Sequence, residues 1–306
     1  MSKLNALLRK RGCILSFVAS LTAALASPAL ADSSTMMLRM EKGMSLGQYY
    51  TRVQDSLINA GLLRQDRTLR DAPSTPHKLA RDFAEIALRS EYGGSLGASG
   101  SGSRKPVMRW ETPVRLNVIF GASVSPEQRQ KDQRSVVSYM KKLSKITGHP
   151  VKHTNKGTNF HVLVVNDAER KSLATTLRKM VPNLNNGSIR AVERMKPNHF
   201  CMVIASPYAD RKNGYQSVVA IIRAEHPEIM RAACIQEELA QGMGLPNDCN
   251  YARPSIFNDD QEFGLLTQHD EHLLRMLYHP ALTSGMPRKD AVPLLKTIAT
   301  QVSARR

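Results

Sequence analysis

The sequence predicts an α+β fold of α/β-like character: a mixed twisted sheet with covering helices, preceded by an N-terminal helical hairpin. Short apolar runs alternate with longer stretches of helical spacing between residues 114 and 243, in the order strand, helix, strand, helix, strand, strand, helix. That order places helices over a sheet. A glycine- and serine-rich stretch from Gly93 to Lys105 separates this part from a helical beginning and is expected to be a flexible linker. The expected division is therefore 1–31, 32–92, 93–105 and 106–306.

Residues 1–31 read as a signal peptide. Lys3, Arg9, Lys10 and Arg11 form a basic start, Gly12 to Ala26 is mostly apolar, and Ala29-Leu30-Ala31 supplies small residues for cleavage before Asp32. A membrane anchor is the alternative, but the run falls short of the roughly 20 apolar residues a span needs, and Ser16, Ser20 and Thr22 dilute it. Cys13 opens the apolar run instead of closing it, which argues against a lipid anchor. A soluble periplasmic or secreted product is expected, with no transmembrane segment in the mature chain.

Leu46, Tyr49, Val53, Leu57 and Leu62 recur at helical spacing, with Gly61 marking an end. After the turn-like Asp71 to Pro76, a second helix carries Leu79, Phe83, Ile86, Ala87 and Leu88, and the two are expected to pack as a hairpin against the main body or against each other as a small appendage. Met36, Met37, Met40 and Met44 are expected to be ordinary packing, with a sticky binding arm as the alternative. The linker's glycines resemble a phosphate cradle, but no apolar strand leads into them and the lysine-serine ending is missing.

Val114 to Phe120 alternates as a strand with one packed face. Pro126-Glu127 open a helix that Gly148-His149-Pro150 end. Phe160 to Val165 is a second strand and Ala168 to Met180 a second helix. Cys201 to Ala205 and Ser217 to Arg223 are two more strands. The central helix follows, between Ile229 and Met243, and one more from Asp270 to Tyr278. The tail from Lys289 holds a short helix-like stretch and ends in a solvated Arg305-Arg306.

Lys and Arg number 43 against 26 Asp and Glu, a net charge of +17. The leader removes only four of the basic residues, so anionic partners are attracted: acidic envelope polymers or lipid head groups. Nucleic acid is disfavoured, because aromatic residues make up 5% of the chain and no aromatic-basic interleaving offers stacking platforms. Oligomeric state is not legible.

Beyond Cys13 the cysteines are Cys201, Cys234 and Cys249. In an oxidising compartment two of them pair. Cys234 and Cys249 are nearest in sequence, and their bond would close a loop worth roughly 3 kcal/mol, leaving Cys201 as a buried thiol. Three reduced core cysteines are the alternative.

In the central helix Glu237, Glu238 and Gln241 share one polar side, Gly244 allows the left-handed residue that stops it, and Asn247 and Asp248 return toward it. This segment resembles the metzincin metalloproteases, whose helix carries His-Glu-x-x-His-x-x-Gly-x-x-His. Here the same spacing reads Glu237-Glu238-Leu239-Ala240-Gln241-Gly242-Met243-Gly244-Leu245-Pro246-Asn247. The resemblance implies Glu238 as the general base, if the protein is active, and puts Glu237, Gln241 and Asn247 in the ligand positions. Ser255-Ile256-Phe257 stands where the family has its methionine turn, and the helix from Asp270 looks like the one that closes the metzincin fold.

A wider resemblance, to the exported bacterial family of domain of unknown function 2927, rests on three stretches. They are Phe83-x-x-Ile86-Ala87-Leu88 with Glu91-Tyr92, Arg109-Trp110 with Pro113-Val114, and Glu237 to Phe257. It brings no established reaction.

Zinc is held by imidazole, thiolate or carboxylate, and the amides of Gln241 and Asn247 are poor substitutes. Without a metal to acidify water, Glu238 is a weak base. No metal and no cofactor are expected, though calcium on Glu237, Asp248 and carbonyls, or zinc rescued by His226, His269, His272 and His279, are alternatives. A metzincin-like but catalytically silent cleft is the expectation, lined by Glu237, Glu238, Gln241, Asn247, Asp248 and Phe257 and binding a polypeptide or envelope polymer. A divergent metal-dependent or glycan-directed hydrolase using Glu238 is the alternative, and a purely structural network of these side chains is another.

Overall fold

The structure, a computed structural model, describes residues 40–66, 74–92, 99–181 and 184–304. The expected signal peptide, Met36, Met37, Asp71 to Pro73 and the terminal Arg305-Arg306 lie outside the described residues. Two helices come first, α1 (Leu46–Asn59) and α2 (Pro76–Ile86), then the ribbon strands β1 (Arg89–Tyr92) and β2 (Ser99–Arg104). The main sheet is built from β3 (Val114–Phe120), β4 (Val151–His153), β5 (Phe160–Val165), β6 (Cys201–Pro207) and β7 (Tyr215–Arg223). Between its strands run α3 (Pro126–Thr147), α4 (Asp167–Arg170), α5 (Ala174–Met180) and α6 (Asn186–Glu193). After the sheet come α7 (Glu228–Gly242), α8 (Gln268–Leu277), α9 (Arg288–Ala291), a short 3-10 turn (Val292–Leu294) and α10 (Leu295–Ala304).

The sheet order is β4-β3-β5-β7-β6. Its first four strands run parallel, and β6 pairs antiparallel with β7 at one end. Every residue of β5 is buried, as a near-continuous apolar run in a doubly covered parallel strand should be. Alternation along the strands sorts side chains to two faces. Phe160, Val162, Val164, Val218, Ala220 and Ile222 join the large core under α3 and α7. Leu163, Val165, Val219 and Ile221 face the opposite core, with Leu173, Leu177 and Val192 from the α4–α6 side.

α7 lies so close to the sheet that a Cβ on Gly242 would stand 2.5 Å from Phe160 Cζ and 3.1 Å from Val218 Cγ1. Only glycine permits that approach. Trp110, wholly buried, stacks on Phe160 at 6.1 Å and donates its indole N–H to Gly242 O at 2.9 Å.

The sheet, the covering helices and the order of elements follow the sequence, and several details do not. The helix expected over 168–180 is broken: Asn166 and Glu169 form a capping box, the ladder shifts to three-residue bonds at Ser172 and Leu173, and α5 restarts. At the break the buried Arg170 guanidinium turns inward to Val192 O and Asp167. Residues 93–98 of the expected linker lie outside the described residues, but Ser99–Arg104 is a strand, paired with β1 through Arg89↔Arg104 and Ser90↔Ser103. Backbone pairing needs no apolar side chains, so composition concealed it.

Among the described residues the two N-terminal helices do not make a hairpin with each other. Tyr49, Tyr50 and Val53 of α1 pack with Leu63 and with Met230 at the start of α7, and Met44 packs beside them while Met40 is exposed. Leu79, Phe83 and Ile86 of α2 enter the main core, where α2 lies against α10 and α8. Tyr50 and Leu63, outside the expected apolar positions, complete the contact of α1, while α2 packs on the main body.

Candidate functional site

α7 begins after Pro227 and carries its polar groups toward its C-terminal half. Glu238 and Gln241 are buried and Glu237 is half-buried. The chain leaves the helix through Met243 and Gly244, which has φ +127° and would place a Cβ 2.3 Å from Met108 O. Two anchors hold this end: the buried Trp110 indole on Gly242 O, and the partly buried Tyr278, whose hydroxyl donates to Met243 O at 2.9 Å. Arg109 ties the end of α8, donating to Leu277 O at 2.8 Å.

Gln241 Nε2 donates to Asp248 Oδ1 at 3.2 Å, so Asp248 does return to the helix. Asn247 does not. Its amide Nδ2 donates to Glu85 O at the end of α2 (3.1 Å) and to Asp248 O (2.7 Å), while its backbone N–H donates to Ile86 O. The residue in the third ligand position is thus part of the seam between α2 and the turn.

Phe257, expected in the cleft wall, is wholly buried in the main core. The turn Ser255-Ile256-Phe257 is fixed from α8. Ser255 Oγ donates to Asp270 Oδ1 at 2.5 Å, Ile256 N to Asp270 Oδ2 at 3.1 Å, and Thr267 N and Oγ1 to Asp270 Oδ2 at 2.9 and 2.8 Å. Burial still pushes the Asp270 carboxyl above its ordinary range, against the pull of His269 and these donors. A carboxylate completely removed from water needs that many donors.

The neighbourhood is acidic. Burial first, then the nearby carboxylates Asp270, Glu271 and Glu237, hold the Tyr139 phenol well above its usual range. Glu271 is paired with Lys142 at 3.2 Å and Arg275 at 3.4 Å.

The disulfide joins Cys201 to Cys234, with Cα atoms 5.8 Å apart, and Cys249 is a buried thiol. This corrects the expected Cys234–Cys249 pairing and the expected Cys201 thiol. Proximity in sequence misled: Cys249 N donates to Phe257 O at 2.7 Å, fixing Cys249 in the loop behind the helix, whereas Cys201 opens the terminal strand β6 beside α7. Burial raises the Cys249 thiol pKa, so it is not a poised nucleophile.

Of the four histidines weighed as alternative ligands, His226, His269 and His279 have partners elsewhere. His226 Nδ1 lies 3.7 Å from Cys234 Sγ, and its ring meets Tyr50 edge-on at 4.5 Å. His279 Nδ1 accepts from Ala281 N. His269 Nδ1 is 2.9 Å from Ser74 Oγ and its Nε2 is 3.1 Å from Asp82 Oδ2. His272 is buried, which lowers its pKa, with Arg275 and His269 adding to the effect. Among the described residues no three or more His, Cys, Asp or Glu are placed to hold a metal ion, and no helix is long and apolar enough to cross a membrane.

Sequence reasoning missed Asp82, Ser74 and Tyr139. Asp82 sits among apolar neighbours on α2, and only its place on the packed face, one turn from Lys78, could have signalled a buried charge.

A family profile described as "Protein of unknown function (DUF2927)" matches residues 76–297. No curated protein and no solved structure matches the chain.

Proposed function

The chain belongs to the DUF2927 family, and from that premise we propose that it is an exported binding protein built on a metzincin-like scaffold whose metal chemistry is silent. The cleft over α7, beside the terminal strand β6, takes an extended polypeptide. The observation that carries this reading is the state of the two amides in ligand positions. Gln241 is bonded to Asp248 and Asn247 to the end of α2, so both serve the turn. Support for the scaffold comes from the order of parts: a buried Glu238 on the helix, a glycine turn, the Ser255-Ile256-Phe257 turn, and a closing helix tied to that turn through Asp270.

Local charge selects between the two ligand classes. Glu237 is the half-buried carboxylate on the polar side of this helix, and it favours a polypeptide with basic residues over an anionic envelope polymer, in spite of the overall positive charge. β6 ends the sheet, and an extended chain added to such a strand gains main-chain hydrogen bonds.

Titrating the full chain with basic and acidic decapeptides by fluorescence anisotropy tests the reading. Basic peptides should bind more tightly, and Glu237→Gln should weaken them severalfold while leaving the melting midpoint unchanged. Equal binding of both peptides would remove the cleft assignment. Casein cleavage that a chelator stops and Glu238→Gln abolishes would replace it with a divergent hydrolase, and chelator-insensitive release of glycan from peptidoglycan would make that hydrolase glycan-directed.

A further inference from the structure

Ser74 and Asp82, from the α2 segment, line up with the remote His269 of α8. Ser74, just before the α2 N-cap, places Oγ 2.9 Å from His269 Nδ1, and the other ring nitrogen stands 3.1 Å from Asp82 Oδ2, off the line of an ideal hydrogen bond. His269 and Asp82 have no solvent exposure, whereas Ser74 is partly exposed. The hydroxyl is not spent on the helix, because Thr75 Oγ1 does the capping, accepting from Lys78 N.

The protonation pattern follows from the partners. Asp82 also accepts from Arg81 Nε at 2.9 Å and lies 3.3 Å from Lys78 Nζ. Burial opposes its charge, but the approach of His269, the bond from Arg81 and the charge of Lys78 prevail, holding its carboxyl below the ordinary range. A carboxylate facing Nε2 requires the proton on that nitrogen, which leaves Nδ1 as the acceptor of the Ser74 O–H. A hydroxyl, a base within hydrogen-bond reach and a third group orienting the base form the arrangement by which serine nucleophiles are activated.

We propose that Ser74 is an acyl-accepting nucleophile, with His269 as its general base and Asp82 as the residue that positions the imidazole, forming a site for carboxylic esters separate from the α7 cleft. In the first step Ser74 Oγ bonds to the ester carbonyl carbon as its proton passes to Nδ1 and the carbonyl π pair moves onto oxygen. When that pair returns, the bond to the alcohol oxygen breaks and the alcohol takes the proton from Nδ1. Water then repeats the sequence, giving its proton to Nδ1, releasing the acid and restoring the Ser74 hydroxyl. The ring works through Nδ1, the reverse of the more familiar orientation, which the roles permit. His269 has no surface of its own, so a substrate meets the base at the edge shared with Ser74, which favours small, unhindered acyl groups.

The experiment is active-site labelling of the full chain with an alkyl fluorophosphonate, read by peptide mass mapping, together with p-nitrophenyl acetate turnover. The expected result is a single phosphonyl adduct on Ser74, with turnover lost at least a hundredfold in Ser74→Ala, which keeps the wild-type circular dichroism and melting midpoint. His269→Gln should slow labelling to the same degree if it folds. The proposal is overturned if the wild-type protein carries no adduct on Ser74, or if turnover persists in Ser74→Ala. Either result leaves peptide binding at the α7 cleft untouched, and loss of that binding leaves this site untouched.

Discussion

Gln241 Nε2 and Asp248 Oδ1 meet at 3.2 Å across the turn that ends α7, a bond between the second of the three ligand positions and the first residue beyond the third. It closes the turn with side chains alone. Gln241→Ala should therefore lower unfolding free energy by about 0.5–1.5 kcal/mol, the usual net worth of such a bond. Urea denaturation checks this, and Asp248→Ala should fall in the same range.

Covalent closure contributes more. The Cys201–Cys234 bond spans 33 residues, so a paired Cys201→Ser/Cys234→Ser variant should lose about 3–4 kcal/mol if chain entropy dominates. Peptide mapping of the oxidised protein should return a Cys201–Cys234 linked pair and an unlinked Cys249. Cys249→Ser should leave that link in place.

Gly242 sets the spacing of α7 from the sheet. Gly242→Ala brings a Cβ against the Phe160 ring, and overpacking of this kind costs about 1–3 kcal/mol. The expected readout is a lower urea midpoint with an unchanged m-value.

Acid should destabilise the protein in a defined window. Burial depresses the pKa values of His149, His161, His199, His226 and His272 below their ordinary 6.5, most strongly at His226, where Arg223 and Arg231 add to it. The unfolded chain then binds more protons than the folded one below that pH. Stability contributed by these groups is complete above about pH 6.5 and declines as pH falls. Urea midpoints measured from pH 8 to 5 should fall monotonically, and His226→Gln should reduce the slope.

Much of this fold is legible in the sequence, because burial on both faces leaves a plain record. Phe160 to Val165 and Ser217 to Arg223 read as strands since almost every residue is apolar. β4 was missed because it has three residues and two are exposed. α6 was missed because two core side chains, Ile189 and Val192, do not make a visible period. The tail read as a short helix, yet α10 supplies Leu295, Ile298, Ala299 and Val302 to the main core. At the candidate site the return of Asp248 toward α7 is legible from spacing, whereas the burial of Glu238 and Gln241 on the expected polar side is not. Asn247 was not, because its partners are carbonyls on α2, set by tertiary packing. The contact between Asp82 and His269 was equally hidden: neither residue's neighbours in sequence reveal the other.

The Cys201–Cys234 bond also has a mechanical side. β7 lies between the two cysteines in the chain, so the bond encloses the β6–β7 hairpin in a covalent ring. Tension applied at the two ends of the protein would pass from β6 to α7 through sulfur and bypass the hairpin. The ring could add none of its contour length to the extension while the bond stands, and reduction would release it as an extra step in a pulling trace.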